Sequence, residues 1–480
     1  MLLAFAGVFA PGFLSELGNT MGDNLSALPV LLSLYLVLRC WDDLLHWRAR
    51  AALVALAAGL AMGFAAGLKL TNAIYAVALC VALLTLPLLW WRRLQLALVF
   101  GIGVLGGIAI SGGWWMLRMW QSFGNPLFPQ FNNIFHSPLA PESGVIDVFF
   151  RPQTWQENLL WPFIFVFNTR RVSEIPLKMA VWPVLYVVLA AVAAVWLWRR
   201  LRATSLSAQP APTMASRSTL LLVFVALGYL VWMRMFSIYR YLVPLELLAP
   251  LAIWLGWAYV APQAQRLAGW VLALLVLTAL PAANWGHAGW ADTAFSAQVP
   301  AMARPADSIV FFVQPDPPSG WMATMLPPQV QVIALDTGML ETPAWRARQQ
   351  AAIAARPGPH YLLLSAARND RDGSRLRKLE WAQSLGLTSD AVGCNRLGRL
   401  MGTLRMQVEL RRLPAGGCTF DLLPQHRIDL AALDRAAIAR AAERVRGYGL
   451  MLDPASCSMQ QAAVGSKPRP FLWCRVTPQP

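Results

Sequence analysis

Polar and apolar positions do not alternate over the first 285 residues; the apolar ones come in blocks. Runs of about 20 apolar residues suit a bilayer-crossing helix. Such runs fall near residues 25–40, 51–68, 73–91, 95–112, 180–198, 218–236, 241–260 and 269–285. Residues 1–14 form a shorter apolar piece that contains Pro11 and Gly12. From about residue 286 the pattern changes. Ser308–Val313, Val330–Leu335 and Tyr361–Leu364 read as short buried strands. Between and after them, Thr342-Pro343 opens a helix to about Ala355, Ser374 caps another that Gly386 stops, and Asp429 starts a third through about Arg446. The pattern predicts an α-helical polytopic membrane bundle of about nine spans followed by a small extracytoplasmic α/β domain with a partly parallel sheet. The division falls as 1–285 and 286–480, with an interfacial segment at 113–179 and a linker at 199–217, whose Ala-, Ser- and Pro-rich part is 203–216.

Composition agrees: 57% of the 480 residues are hydrophobic and 13% charged, against about one quarter charged in an average soluble domain. The net charge of +16 does not imply nucleic acid, because no basic stripe with interleaved aromatics occurs on one element. Instead the arginines fall in every second loop: Arg39, Arg48 and Arg50; then Arg92 and Arg93; then Arg199, Arg200, Arg202 and Arg217; then Arg266. Basic loops stay on the cytoplasmic side. The opposite, outer side then receives the Glu16–Asp23 loop, the Lys69–Asn72 turn, the segment 113–179, the Arg240 turn and the tail. Cys394, Cys418, Cys457 and Cys474 all lie in that tail. An even number there suits an oxidising compartment and two disulfides, in one of three pairings; nearest-in-sequence pairing would join Cys394 to Cys418 and Cys457 to Cys474. No C-x2-C spacing supports a zinc site.

Candidate chemistry gathers on the outer side. The loop Ser15–Asn24 holds Glu16 and Asp23 and no Lys or Arg. Acidic groups beside a lipid-buried surface are costly unless they act or find partners. They read either as catalytic carboxylates or as a solvated pair in which Asp23 caps the next helix. Arg240 offers a planar fork for phosphate oxygens and Lys69 a point charge; the alternative for both is a cation snorkelling to the interface. Around Gly124–Pro129 lie Trp114, Trp115, Trp120, Phe123, Phe128, Phe131 and Phe135, with Trp155 and Trp161 further on. They suit an aromatic belt at the headgroups or stacking on a sugar or prenyl chain. Glu246 lies inside a span, and reads either as a functional carboxylate or as a partner of Arg234 or Arg240. His136 and His287 fall on the outer side, but no triad or metal set accompanies them. The tail has no G-x-G-x-x-G, P-loop or H-E-x-x-H, and suits acceptor binding, docking or stability.

Three segments carry a resemblance: Phe236-Ser237-Ile238-Tyr239-Arg240-Tyr241-Leu242-Val243-Pro244, Gly67-Leu68-Lys69-Leu70-Thr71-Asn72, and Gly124-Asn125-Pro126-Leu127-Phe128-Pro129-Gln130-Phe131-Asn132. Together they resemble the GT-C superfamily of integral-membrane glycosyltransferases. The resemblance covers most of the membrane part, although many relatives carry Lys where this chain has Asn72, and an apolar residue where it has Glu246. It implies transfer of a sugar from a polyprenyl-phosphate donor to a glycan, lipid or protein acceptor at the outer face of a bacterial inner membrane. Arg240, Lys69 and Tyr241 would bind the donor phosphate. Trp114, Asn125, Asn132 and His136 would bind substrate, and Asp23 and Glu16 would be catalytic. No organic cofactor is implied; a divalent metal ion beside the phosphate is compatible. In the family the acceptor base sits in the first outer loop and a further acid in the next. An N-terminal hairpin ahead of Met1 would make the Glu16–Asp23 loop the second of these; with Met1 as the start, Glu16 or Asp23 would be the base. An O-antigen ligase- or polymerase-like enzyme is the alternative. A transporter or non-enzymatic module ranks lower, because no internal repeat is present and the polar groups gather at one surface.

Overall fold

A computed structural model describes all residues except 47, 144–147, 203–213, 281–282, 286–288, 314–318, 336–337, 404–405, 407, 415 and 480. Most of the expected linker at 203–216, and His287, lie outside the described residues. The chain forms two compact units, Met1–His287 and Ala288–Pro480.

The first unit is helical. Its elements are α1 (Leu2–Val8), α2 (Pro11–Ser15), α3 (Asp23–Arg39), α4 (Trp41–His46), α5 (Arg48–Leu68), α6 (Ala73–Leu83), α7 (Trp90–Phe123), α8 (Asn132–Phe135), α9 (Trp155–Phe167), α10 (Val181–Arg202), α11 (Ser216–Met235), α12 (Val243–Val260) and α13 (Gln265–Ala279). Among the described residues, five helices are long and apolar enough to cross a membrane: α5, α7, α10, α11, and α12 with the helical turn Tyr239–Leu242 that precedes it. α3, α13 and α6 are shorter, at 17, 15 and 11 residues.

The apolar blocks and the helices differ in two places. The block 73–91 is not one helix. α6 ends at Leu83, Pro87 interrupts the ladder because it has no N–H, and α7 starts at Trp90. Arg93 closes the turn, donating Nε to Leu88 O at 2.7 Å and Nη1 to Leu84 O at 2.8 Å. In turn, α7 does not stop near 112 but continues for 34 residues, carrying Trp114, Trp115 and Trp120 in regular helix up to Phe123. Gly112 and Gly113 lie inside this unbroken helix.

The α5–α7 pair is closely packed. Gly59, Gly63 and Gly67 recur every fourth residue and share one face of α5. Gly103, Gly107 and Gly112 answer from α7. A Cβ added at Gly63 would run into the backbone of Val104, and one at Gly107 into that of Leu60. Small residues let two apolar helices approach closely when water offers no drive to associate them. Ser111 Oγ adds hydrogen bonds to Phe64 O and Gly107 O, each 3.0 Å.

The second unit is α/β. Its elements are β1 (Phe295–Ala297), β2 (Ile309–Val313), β3 (Gln331–Leu335), α14 (Pro343–Ala354), β4 (His360–Ser365), α15 (Asp370–Ser384), α16 (Ala391–Thr403), β5 (Val408–Arg412), β6 (Cys418–Leu422), α17 (Leu430–Arg446), β7 (Leu450–Gln460), β8 (Ala462–Val464), β9 (Lys467–Pro468) and β10 (Phe471–Pro478). A five-stranded sheet runs in the order β3-β2-β4-β10-β7. β2 is parallel to β3 and β4, whereas β10 is antiparallel to β4 and β7. Alternate side chains build two cores, Phe311, Ile333 and Leu362 on one face, Phe312, Leu363 and Trp473 on the other.

Thr342 and Asp429 cap α14 and α17, their side chains accepting from Trp345 N and Ala432 N. Ser374 is not a cap: α15 begins earlier, with Asn369 accepting from Arg371 N, and ends just before Gly386. Disulfides join Cys394 to Cys418 and Cys457 to Cys474, tying α16 to β6 and β7 to β10.

The α5–α7 seam yields a stability prediction. Gly63→Leu should force the helices apart and cost about 2 kcal/mol or more, as overpacking does. The check is thermal unfolding of the purified protein in detergent; an unchanged midpoint would show that the seam is not a limiting contact.

Candidate functional site

Three chain breaks meet at one end of the first unit. Lys69 lies just past the end of α5, Asp23 is the first residue of α3, and Arg240 and Tyr241 sit in the turn leading into α12. Asp23 holds the two cations together. Its Oδ1 receives Lys69 Nζ at 2.5 Å, and its Oδ2 lies 4.0 Å from Arg240 Nε. Lys69 Nζ also donates to Met21 O at 3.1 Å. Arg240 Nη1 reaches Glu174 Oε1 at 3.2 Å, and Nη2 lies 3.5 Å from the Tyr241 hydroxyl. The Tyr241 ring lies 5.1 Å from Lys69 Nζ and 5.2 Å from the Arg240 guanidinium, and the Trp285 ring lies 5.7 Å from that same guanidinium. Both distances to Tyr241 fall within cation–π range.

Exposure separates the roles. The Asp23 side chain is 3% exposed, whereas Lys69 and Arg240 keep 23% and 21%. The carboxylate is enclosed and the cations retain an open face. Glu16 belongs to the same group. It is 3% exposed, its Oε2 accepts from Asn19 Nδ2 at 2.8 Å, and its Oε1 is buried without a hydrogen-bond partner. Burial pushes the Glu16 carboxyl above its ordinary range; the Asn19 hydrogen bond opposes this, the nearby Asp23 charge reinforces it, and Lys69 and Arg240 oppose it. The arrangement offers two fixed cations to an anion and one carboxyl to a proton.

The turn that presents Arg240 is held from several sides. Ser237 stands at φ 52, and its Oγ donates to Met233 O at 2.9 Å. Trp232 Nε1 donates to Ile238 O at 2.8 Å, and Tyr239 N to Val172 O at 2.8 Å. The Tyr75 hydroxyl donates to Tyr241 O. The Tyr239 hydroxyl receives Trp182 Nε1 at 2.9 Å and donates to Glu246.

Glu246 corrects an expectation. It pairs with neither Arg234 nor Arg240. Its carboxylate instead accepts from Gly12 N at 3.2 Å, Phe13 N at 3.1 Å and the Tyr239 hydroxyl. The first N–H groups of a helix have no partner within it, and those of α2 are met by this acid. Arg234 Nη1 donates to Asn158 Oδ1 at 3.1 Å. Glu246 thereby holds α2, and the Glu16 loop that follows it, against the Arg240 turn.

The other expected substrate residues lie apart from this group in the contacts they make. Trp114 is exposed on α7, tilted against Trp115 and under Arg118. Asn125 and Asn132 are buried and committed to their own loop. Asn125 Nδ2 donates to Gln130 O, and its Oδ1 accepts from Leu127 N. Asn132 Nδ2 reaches the carbonyls of Ser137, Ala140 and Pro141, and its Oδ1 accepts from Ser137 N. These amides bond within their own loop. His136 is exposed at φ 53, just past α8. Glu174 and Trp285 went unnoticed in the sequence, where nothing marks a residue 66 positions from Arg240 as its partner.

Among the described residues, no three His, Cys, Asp or Glu are grouped to hold a metal ion. Lys69 takes Asp23 Oδ1 and Arg240 stands 4.0 Å from Oδ2, while Asp23 Oδ2 and Glu16 Oε1 are buried without a hydrogen-bond partner among the described residues.

Two outcomes follow from these contacts. Burial keeps Glu16 protonated to a higher pH in the native state than in the unfolded chain. The native state therefore binds more protons above about pH 4.5, and stability falls as pH rises through that window. Glu16→Gln should then melt higher than the parent at about pH 7.5 and converge with it near ~pH 4; equal melting at both values would remove burial as the cause. Glu246→Ala should cost about 3 kcal/mol, because it takes the acceptor from the buried Gly12 amide, the half-buried Phe13 amide and the Tyr239 hydroxyl proton. Denaturant titration measures that loss, and limited proteolysis within 15–24 should quicken alongside it.

No family model, no curated protein and no solved structure matches this chain.

Proposed function

We propose that the protein is a multi-pass membrane glycosyltransferase of the GT-C kind, with about nine spans. It moves a sugar from a polyprenyl-phosphate donor to a glycan, lipid or protein acceptor at the outer face of a bacterial inner membrane. The observation that supports this reading best is the joint hold of Asp23 on Lys69 and Arg240, two half-open cations fixed side by side. The basic residues in alternate loops and the two disulfides of the second unit support an extracytoplasmic location for that unit.

Arg240 and Lys69 bind the donor phosphate, and Tyr241 fixes the distance between them. Asp23 acts as a positioning residue: it binds Lys69 directly and stands 4.0 Å from Arg240, which Glu174 also holds. The acceptor oxygen attacks the anomeric carbon. The bond from that carbon to the phosphate oxygen breaks, and the electron pair leaves with polyprenyl phosphate, whose charge the two cations stabilise. The acceptor proton passes to Glu16, whose Oε1 makes no hydrogen bond among the described residues. An O-antigen ligase- or polymerase-like enzyme is the second reading, favoured by the length of the segment 113–179. It needs no carboxylate at Glu16.

Label from a polyprenyl-phosphate sugar, followed into the acceptor fraction of native membranes, tests both. Arg240→Ala should lower transfer about 100-fold, the loss of two charge-assisted contacts, while the protein inserts normally. Glu16→Gln should lower it about as far. Normal transfer in Arg240→Ala sinks the phosphate role, and normal transfer in Glu16→Gln alone selects the second reading.

A further inference from the structure

A second cationic feature lies at the other end of α5. Between the α4–α5 corner and the start of α7 is a cavity of about 380 Å³, within the size range of small-molecule sites. Leu88, Leu96 and Val99 contribute apolar wall, and Arg92, Arg48 and His46 contribute the basic groups. No carboxylate lines it among the described residues. The acids closest in sequence, Asp42 and Asp43, face Arg217 at 3.5 Å and Arg50 at 3.7 Å.

Arg92 and its neighbour differ. Arg93 donates to two carbonyls of its own turn. Arg92 Nε is buried without a hydrogen-bond partner, and its guanidinium lies 5.4 Å from the Trp91 ring. Buried donors without partners are rare, and among the described residues none supplies an acceptor to this one. A lining of apolar and basic side chains selects a molecule with both an apolar part and an anionic group. The cavity also sits where two long apolar helices begin, the level at which headgroups meet the basic ends of spans. The 21 residues of α5 separate it from the Lys69–Arg240 group by about 30 Å, so it is not the proposed donor site.

We propose that this cavity binds one anionic phospholipid, its headgroup phosphate on Arg92 and Arg48 and an acyl chain along Leu88, Leu96 and Val99. The site needs only a membrane protein, not a glycosyltransferase, and its readout is lipid mass rather than transfer.

The test is native mass spectrometry of the full chain purified in detergent and offered equal amounts of phosphatidylglycerol and phosphatidylcholine. Phosphatidylglycerol adducts should exceed phosphatidylcholine adducts about fivefold, the effect of roughly one basic contact at a membrane surface. Arg92→Ala should abolish that preference. Ala52→Phe, which fills the cavity and leaves Arg92 in place, should lower phosphatidylglycerol retention as well. Arg39→Ala removes a cation outside the lining and should change nothing. Equal retention of the two lipids, an unchanged preference in Arg92→Ala, or the same loss in Arg39→Ala would overturn the proposal. Displacement of the lipid by millimolar inorganic phosphate would overturn it too, by showing a free-anion site. A match between variant and parent in circular dichroism and gel filtration shows that lost retention is not lost folding.

Discussion

A carboxylate enclosed by protein has to be met by cations or hydrogen bonds, and this requirement at Asp23 organises the candidate site. Asp23 heads α3, and its two partners lie just past the end of α5 and just before α12. The ion pair therefore ties together three segments that are far apart in sequence. Neutralising a buried acid also places Lys69 and Arg240 next to each other, an arrangement that repulsion between like charges would otherwise oppose. The structural demand and the chemical feature have one origin.

Glu246 meets the same demand by different means. Its oxygens are satisfied by two backbone N–H groups at the start of α2 and by the Tyr239 hydroxyl. No cation is needed, and Arg240 is left to Glu174 and Asp23. The two acids thus share the turn at 239–241 between them. Glu246 fixes its buried side through Tyr239, and Asp23 addresses its open side through Arg240. Gly12 also lies so close to Glu246 that a Cβ there would collide with the carboxylate, which brings the chain leading to Glu16 into the same assembly.

Parts of this were legible from residue order. Blocks of apolar residues marked where helices lie, and the strands β2, β3 and β4 with the caps Thr342 and Asp429 stood out through local composition. The pair β7 and β10 did not, because Pro454, Ser456, Cys457 and Ser458 interrupt the apolar alternation of β7. Its register shifts between Trp473 and Arg475, and Arg475 N is met by the Ser456 hydroxyl at 2.7 Å. Such a strand is recognisable only beside its partner. The glycines of α5 and α7 were equally ambiguous alone. Gly112 weakens an isolated helix but admits Gly67 of α5 at close range.

The amino-acid order by itself determined the apolar helices, the strand-rich tail, and which residue types could hold a phosphate or accept a proton. These are short-range properties, governed by hydrophobic length, capping and the chemistry of each side chain. Tertiary structure alone decided which charges meet. It gave Lys69 and Arg240 to Asp23, turned Glu246 toward the amides of α2, and committed Asn125 and Asn132 to their own loop. The physical reason is that a buried charge takes whichever partner the packing brings within about 3–4 Å, and sequence separation carries no information about that distance.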